Sequence, residues 1–122
     1  MTGLAGAFSS NQLDPRLRKT YISGTIRDMT YVSDALHDTW DDDSLAIARI
    51  HHGVLNPEPQ PVFNEDRSLC IAMDGEVFDY KREQYTLERQ GHLFRLSGND
   101  AEYCLHLYEE YGVDGFQRLN GS

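Results

Sequence analysis

Basic residues are scarce in this chain, which carries 11 Lys and Arg against 20 Asp and Glu for a formal net charge of -9. Nucleic acids and anionic membrane surfaces are bound through positive charge that neutralises phosphates, so we expect neither partner. The sequence also has no window of about 18 apolar residues and no basic start followed by an apolar stretch, which argues against a membrane span and a signal peptide. A cytoplasmic protein is predicted.

Cysteine is also scarce, with Cys70 in the run SLCIAM and Cys104 in the run AEYCLHLY. A lone thiol in an apolar run behaves as a small hydrophobic side chain, and neither cysteine has a CxxC spacing. Two free, buried thiols are therefore expected. The histidines show no metal-ligand spacing: His51 and His52 are adjacent on a predicted strand and point to opposite faces, so we predict no metal site.

The chain length of 122 residues suits one domain, 1–122, which can bury about two thirds of the surface that its unfolded chain exposes. Apolar periodicity and turn residues predict an α+β order of elements. From the amino end, these are a strand in 1–8, a loop over 9–28, a short helix over 29–38, a solvated turn at 41–43, a strand over 44–52, a rigid proline-rich loop at 56–62, strands at 62–63 and 69–73, a helix over 81–91, a strand over 92–96 and a helix over 99–112.

The last of these helices has the strongest signals. Asn99 is a suitable N-cap, Glu102 stands three residues later as in a capping box, and Gly112 can close the helix. Its predicted core face follows the i, i+3, i+4, i+7 spacing. That face comprises Ala101, Cys104, Leu105 and Tyr108.

Three separated segments resemble those of class II glutamine amidotransferases, most closely the asparagine synthetase branch. The opening MTGLAGAF resembles MCGIAGIF, and MDGEVFDY (73–80) resembles the family's NGEIYNY. The segment SGNDAEYCLHLYEEYG is similar to SDTEVILHLYEEYG, and the final RLNGS to the start of RLNGMFAFAIWD. The similarity runs from end to end and is weakest over residues 9–43.

This resemblance implies the N-terminal-nucleophile hydrolase fold, a four-layer αββα sandwich of antiparallel sheets, here truncated at the carboxyl end. In the family the initiator Met is removed, and the exposed cysteine attacks the side-chain amide of glutamine with its own α-amine as base. Ammonia then passes to a synthetase domain, which this chain lacks. The implied partners are glutamine or a similar small amide, a synthetase domain in cis or in trans, and a second copy in a homodimer. No cofactor is implied for this domain; ATP and Mg²⁺ are expected only for the synthetase domain.

Four positions match residues with substrate-site roles in the family. Arg49 matches the arginine that binds the glutamine α-carboxylate, although a surface arginine at a strand edge is the alternative. Asp100 matches the carboxylate that takes the substrate ammonium, and it also favours a helix N-terminus. Gly75 matches the glycine whose N–H helps form the oxyanion hole, and Glu76 a glutamate of the substrate pocket; a plain turn with a solvated glutamate is the alternative.

Two positions depart from the family pattern, and both carry its chemistry. Thr2 stands at the nucleophile position in place of cysteine, and a hydroxyl is a much weaker nucleophile than a thiol at neutral pH. Asp74 stands in place of the oxyanion-hole asparagine, and a carboxylate repels the developing oxyanion rather than donating to it. We therefore predict a degenerate catalytic centre. The alternatives are an active Thr2-dependent amidohydrolase and a non-catalytic structural or interaction module.

Overall fold

The computed structural model describes residues 2–31 and 34–122. In chain order, the strands and α-helices are β1 (Gly3–Phe8), α1 (Pro15–Met29), β2 (Leu36–Asp41), β3 (Leu45–His51), β4 (Val62–Phe63), β5 (Cys70–Ile71), α2 (Lys81–Arg89) and α3 (Asp100–Tyr111), and a 3₁₀ helix, Gly112–Arg118, follows α3. They divide between two compact units, the first comprising Met1–Pro61 and Ala72–Asp74 and the second Val62–Ile71 and Gly75–Ser122. The α+β content and the antiparallel strand pairing agree with the predicted class. Within the described ranges, no helix is long and apolar enough to cross a membrane.

The first unit is built on a three-stranded antiparallel sheet in the order β1-β3-β2. The central strand β3 confirms the strand predicted over 44–52, and its residues Ala46, Ala48 and Ile50 are buried on one face. Helix α1 packs against this face. A side chain at Gly3 would collide with Met29, so the small residues of β1 allow the helix to approach closely.

The other face of this sheet carries a group of polar residues on its strands. Arg49 of β3 lies between Leu4 of β1 and Asp38 of β2, and His51 follows two residues later on the same face. Side chains alternate along a strand, so Thr2, which immediately precedes β1, also belongs to this face. The strand register thus places the predicted nucleophile and the predicted carboxylate-binding arginine on one side of one sheet.

The loop predicted over residues 9–28 is wrong, because most of that stretch forms helix α1. The Asp14 side chain accepts the N–H of Arg16 at 2.8 Å, and Pro15 occupies the first turn. These are ordinary signals of a helix start. The periodicity is weak because the helix is mainly polar and buries a single side chain, Arg18.

The short helix predicted over residues 29–38 is wrong as well. The described part of this stretch holds the last residue of α1 and the beginning of strand β2, while residues 32 and 33 lie outside the described residues. Strand β2 is paired with β3 along its whole length. Because its sequence LHDTWD is polar, this pairing rather than intrinsic propensity explains the extended conformation.

The acidic run Asp41–Asp43 turns the chain from β2 into β3, as predicted. Asp42 Oδ1 accepts the N–H groups of Ser44 at 2.8 Å and Leu45 at 2.9 Å, and these hydrogen bonds lower the pKa of Asp42. The Arg18 guanidinium donates to the backbone carbonyl of Asp42 and lies 3.8 and 3.7 Å from the two flanking carboxylates. The one buried cation of α1 is therefore neutralised by this turn.

The second unit combines the two-stranded antiparallel ladder of β4 and β5 with helices α2 and α3. The strand predicted at 62–63 is confirmed, and the one predicted over 69–73 is shortened to Cys70–Ile71. Helix α2 is also confirmed. It ends before Gly91, whose φ of 106° lies in the region that favours glycine.

Helix α3 is the buried helix of the second unit, and every residue from Asp100 to Leu107 is inaccessible or nearly so. The Asn99 side chain accepts the N–H of Glu102 at 2.9 Å, and Gly112 follows the helix with a φ of 62°. Both predicted ends are therefore confirmed. The predicted core face is correct except for Tyr108, which is 37% exposed.

The strand predicted over residues 92–96 is wrong. The Glu102 carboxylate accepts the N–H of Arg95 and the N–H of Leu96, both at 2.8 Å. A side chain of α3 thus satisfies backbone donors that a neighbouring strand would otherwise pair. Glu102 therefore holds this segment against the first turn of α3.

Both cysteines are free, as predicted. Cys104 is buried in α3, and burial, with a smaller contribution from the nearby Asp100 carboxylate, raises the pKa of the Cys104 thiol to about 11. Cys70 is only half-buried. The interpretation of Cys104 as a small hydrophobic side chain therefore agrees with its environment.

Candidate functional site

The predicted site residues are divided between the two units. The first unit holds Thr2, Arg49 and Asp74, and the second holds Gly75, Glu76 and Asp100. The division falls at the peptide bond in the middle of the MDGE motif.

Thr2 and Asp74 are in direct contact within the first unit. The Thr2 hydroxyl Oγ1 donates a hydrogen bond to Asp74 Oδ2 at 3.0 Å. Both side chains are exposed to solvent. The side chain at the predicted nucleophile position is thus hydrogen-bonded to the carboxylate at the predicted oxyanion-hole position.

Asp74 follows a segment whose backbone is held by the buried side chain of Gln60. Gln60 Oε1 accepts the N–H of Met73 at 2.7 Å, and the Gln60 backbone N–H donates to Asp38 Oδ2 at 3.2 Å. Among the described residues, Gln60 Nε2 has no hydrogen-bond partner. Gln60 was not among the predicted site residues; its signal in the sequence is an amide side chain set among the prolines of NPEPQPV.

Arg49 is buried at 2% exposure, so its interpretation as a surface arginine is wrong. Its Nη1 donates to Asp38 Oδ2 at 3.2 Å and to the Glu58 carbonyl at 3.4 Å. Its Nη2 donates to the carbonyls of Leu55 and Asn56, at 3.1 and 2.9 Å. All four Nη hydrogens are therefore used within the unit, and Nε has no hydrogen-bond partner among the described residues.

His51 and Asp38 complete this buried polar cluster. The N–H of Gly53 donates to His51 Nδ1 at 3.2 Å, which leaves the ring proton on Nε2, 3.4 Å from Asp38 Oδ2. Burial, followed by the positive charge of Arg49, lowers the pKa of His51, and Asp38 opposes that shift. Asp38 was missed at the sequence level because a helix was predicted there.

Gly75 and Glu76 are the two residues of the MDGE motif that belong to the second unit. Gly75 has a φ of 145°, which favours glycine. The Glu76 N–H donates to the Ser122 carbonyl at 2.9 Å, and the Ser122 N–H donates back to the Glu76 carbonyl at 3.0 Å. An antiparallel bridge between Val77 and Gly121 continues this pairing, so the RLNGS segment fixes the backbone of the motif.

Asp100 lies in the first turn of α3 and is buried. Its Oδ2 accepts the N–H of Val77 at 3.1 Å, and it is also hydrogen-bonded to the Tyr80 hydroxyl. Burial, reinforced by this hydrogen bond, raises the pKa of Tyr80, whose ring stacks on Tyr103 with centroids 4.3 Å apart. The carboxylate predicted to take an ammonium group thus also positions the backbone beside Glu76.

Two histidines for which no metal-ligand spacing was found in the sequence lie together in the second unit. The rings of His92 and His106 have centroids 5.1 Å apart, and both approach the Glu109 carboxylate. His92 lies before α3 and His106 lies within it, so their spacing along the sequence did not reveal that the two rings are close together. The available signal was the His-x-x-Glu spacing of His106 and Glu109 in α3.

Comparison with known proteins gives a consistent picture. A family model described as "Glutamine amidotransferase domain" matches residues 1–122. "Asparagine synthetase [glutamine-hydrolyzing] 1" of Arabidopsis thaliana is 44% identical over 62 residues, which are 51% of this chain and 10% of that protein. The root asparagine synthetase of Pisum sativum is 40% identical over 62 residues, with the same coverage of 51% and 10%. An asparagine synthetase of Sandersonia aurantiaca is 39% identical over 62 residues, 51% of this chain and 11% of that protein. The matched segment therefore spans about a tenth of each relative.

Proposed function

The chain belongs to the glutamine amidotransferase domain family, and from this premise we propose that it binds glutamine but has impaired or no glutaminase activity. The reaction implied by the family resemblance needs a strong nucleophile at position 2 and an oxyanion donor at position 74. This chain has a hydroxyl and a carboxylate there. It retains Gly75, whose N–H is the other implied oxyanion donor.

The hydrogen bond from Thr2 Oγ1 to Asp74 Oδ2, at 3.0 Å, carries this proposal. In the family reaction both groups would face the amide carbonyl, one attacking its carbon and the other stabilising its oxygen. Here the Asp74 carboxylate accepts a hydrogen bond from the hydroxyl and offers no hydrogen to an oxyanion. Loss of one oxyanion donor typically lowers the rate by about 100- to 1,000-fold, and the negative charge adds repulsion.

The roles of the substrate-site residues in this proposal come from the family resemblance. Arg49 takes the α-carboxylate of glutamine, Asp100 takes its ammonium group, and Glu76 lines the pocket. The buried Nε–H of Arg49 supports the first role, because it is a charged donor with no hydrogen-bond partner among the described residues. A carboxylate ligand would satisfy it.

The proposal also covers the domain with which this chain acts and the fold to which its sheets belong. Similarity to asparagine synthetases supports a chain related to these enzymes that acts with a synthetase domain, in cis or in trans, as a structural or ligand-binding partner. We further propose that the two antiparallel sheets are those of the four-layer αββα sandwich of N-terminal-nucleophile hydrolases.

One observation favours a second candidate function, an active Thr2-dependent amidohydrolase. A hydroxyl that donates to a carboxylate also has the geometry of a nucleophile with its general base. In that case Asp74 would take the Thr2 proton as the hydroxyl attacks the glutamine amide. The two proposals predict opposite effects of removing the Asp74 charge.

Glutamine binding tests the proposed pocket directly. We expect glutamine to bind the purified chain in a calorimetric titration. Glutamine whose α-carboxylate is replaced by a carboxamide should bind at least about 10-fold more weakly. The replacement removes the charge-assisted hydrogen bond to Arg49, and such a bond contributes about 1.5–3 kcal/mol. The modification is made on the ligand because Arg49 also holds Asp38 and three backbone carbonyls.

The matched control for this titration is asparagine, which keeps both α-substituents and is one methylene shorter. Weaker binding of asparagine would show that the pocket also discriminates between ligands by side-chain length. If glutamine and its α-carboxamide bind equally, recognition of the carboxylate is absent. If neither binds, the pocket proposal is wrong.

A further inference from the structure

Three ligand-type atoms converge in the second unit, outside the predicted glutamine site. Nδ1 of His92 and Nδ1 of His106 lie 3.3 and 3.2 Å from Oε2 of Glu109. One ligand atom from each of the three residues can be chosen so that all three atoms lie within 4.8 Å of one another. His106 is buried, His92 nearly so, and Glu109 is partly exposed, so the cluster has one side open to solvent.

The backbone holds these side chains in place from two elements. His106 and Glu109 stand three residues apart on α3, where residues at this spacing share a face. His92 follows the turn at Gly91, and its N–H donates to the Leu87 carbonyl of α2 at 3.1 Å. The cluster therefore joins the end of α2 to the middle of α3.

The outer atoms of the cluster are also hydrogen-bonded. His92 Nε2 lies 2.9 Å from Oε2 of Glu110, and Nδ1 on the other side of the ring faces the cluster. Glu109 Oε1 accepts a hydrogen bond from Asn64 Nδ2 at 2.9 Å. Carboxylates and amides bound to the far side of ligating histidines and carboxylates are typical of metal centres, where they orient the ligands.

From this geometry we propose that His92, His106 and Glu109 form a binding site for a divalent transition metal, with Zn²⁺ as the preferred ion. Tetrahedral zinc holds nitrogen and oxygen ligands at about 2.0–2.2 Å, so neighbouring ligand atoms are about 3.3–3.5 Å apart. The observed distances of 3.3 and 3.2 Å are close to that edge length. Two imidazoles and one carboxylate suit zinc, and the open side leaves the fourth position to water.

The test is a Zn²⁺ titration of the untagged 122-residue chain after removal of metal with a chelator. We expect one Zn²⁺ per chain. Glu109→Gln, which keeps an oxygen for Asn64, and His92→Gln should each weaken binding by about 100-fold or more. Glu110→Ala, which removes the outer partner of His92, should weaken it by about 10- to 100-fold. The matched control is His37→Gln, an exposed histidine of the first unit, which should leave the affinity unchanged.

Co²⁺ substitution supplies an independent readout. A low coordination number with nitrogen and oxygen ligands gives strong visible d–d absorption, which should appear in the wild type and disappear in Glu109→Gln. Circular dichroism of the metal-free variants establishes that they remain folded. The proposal is overturned if folded Glu109→Gln and wild type bind Zn²⁺ equally, or if the wild type binds none, in which case the cluster is a group of hydrogen-bonded side chains alone.

Discussion

The double variant Thr2→Cys/Asp74→Asn is expected to release ammonia from glutamine at least about 100-fold faster than the wild type. The substitutions supply the two groups that the family reaction lacks in this chain. A thiol is a far better nucleophile at neutral pH, and one restored oxyanion donor contributes about 100- to 1,000-fold on its own. The measurement is a coupled ammonia assay on protein whose initiator Met removal has been verified by intact mass.

The two single variants are the matched controls for this gain. Thr2→Cys alone retains the carboxylate beside the new thiol, and Asp74→Asn alone retains a hydroxyl nucleophile, so each should remain well below the double variant. A double variant that binds glutamine but shows no gain would contradict the account. The cause of inactivity would then lie outside these two positions.

Arg49→Met is expected to lower the free energy of unfolding by about 3–5 kcal/mol, because removing one partner of a buried ion pair leaves the other charge without compensation. In this case the remaining charge is Asp38, whose side chain is 15% exposed. The substitution also leaves three backbone carbonyls of the loop at 55–58 without their donor. Urea denaturation followed by circular dichroism measures the change.

Arg27→Met is the matched control, since Arg27 forms an exposed ion pair with Asp28 at 3.0 Å. Exposed pairs contribute about 0–1 kcal/mol, so this control should unfold close to the wild type. Equal destabilisation by the two substitutions would show that the Arg49 cluster does not stabilise the fold. If Arg49→Met destabilises the fold as expected, loss of glutamine binding in an Arg49 variant does not show a direct contact between Arg49 and glutamine.

Much of the fold could be predicted where periodicity and capping agree. Strand β3 shows its alternation directly, and α3 has Asn99 and Gly112 at its ends. Predictions failed where tertiary contacts override local pattern. Helix α1 is stabilised by Arg18, which binds an acidic turn, and β2 is held by its pairing with β3. Neither contact can be recognised from a short stretch of sequence.

The candidate site was accessible from the sequence because its motifs resemble a known family. The resemblance singled out Thr2 and Asp74, and the structure places them 3.0 Å apart. It gave no indication of Asp38 or Gln60, which bind Arg49 and the segment before Asp74. These partners depend on strand register and loop conformation, which spacing along the chain does not specify.

Ammonia release by the wild type, compared with Thr2→Ala and Asp74→Asn, tests the central claim most directly. All three proteins are assayed with saturating glutamine after verified removal of Met1. The account predicts that wild type and Thr2→Ala release ammonia at the same background rate. A wild-type rate above Thr2→Ala that Asp74→Asn reduces to background would contradict it, and would identify Thr2 as an active nucleophile with Asp74 as its base.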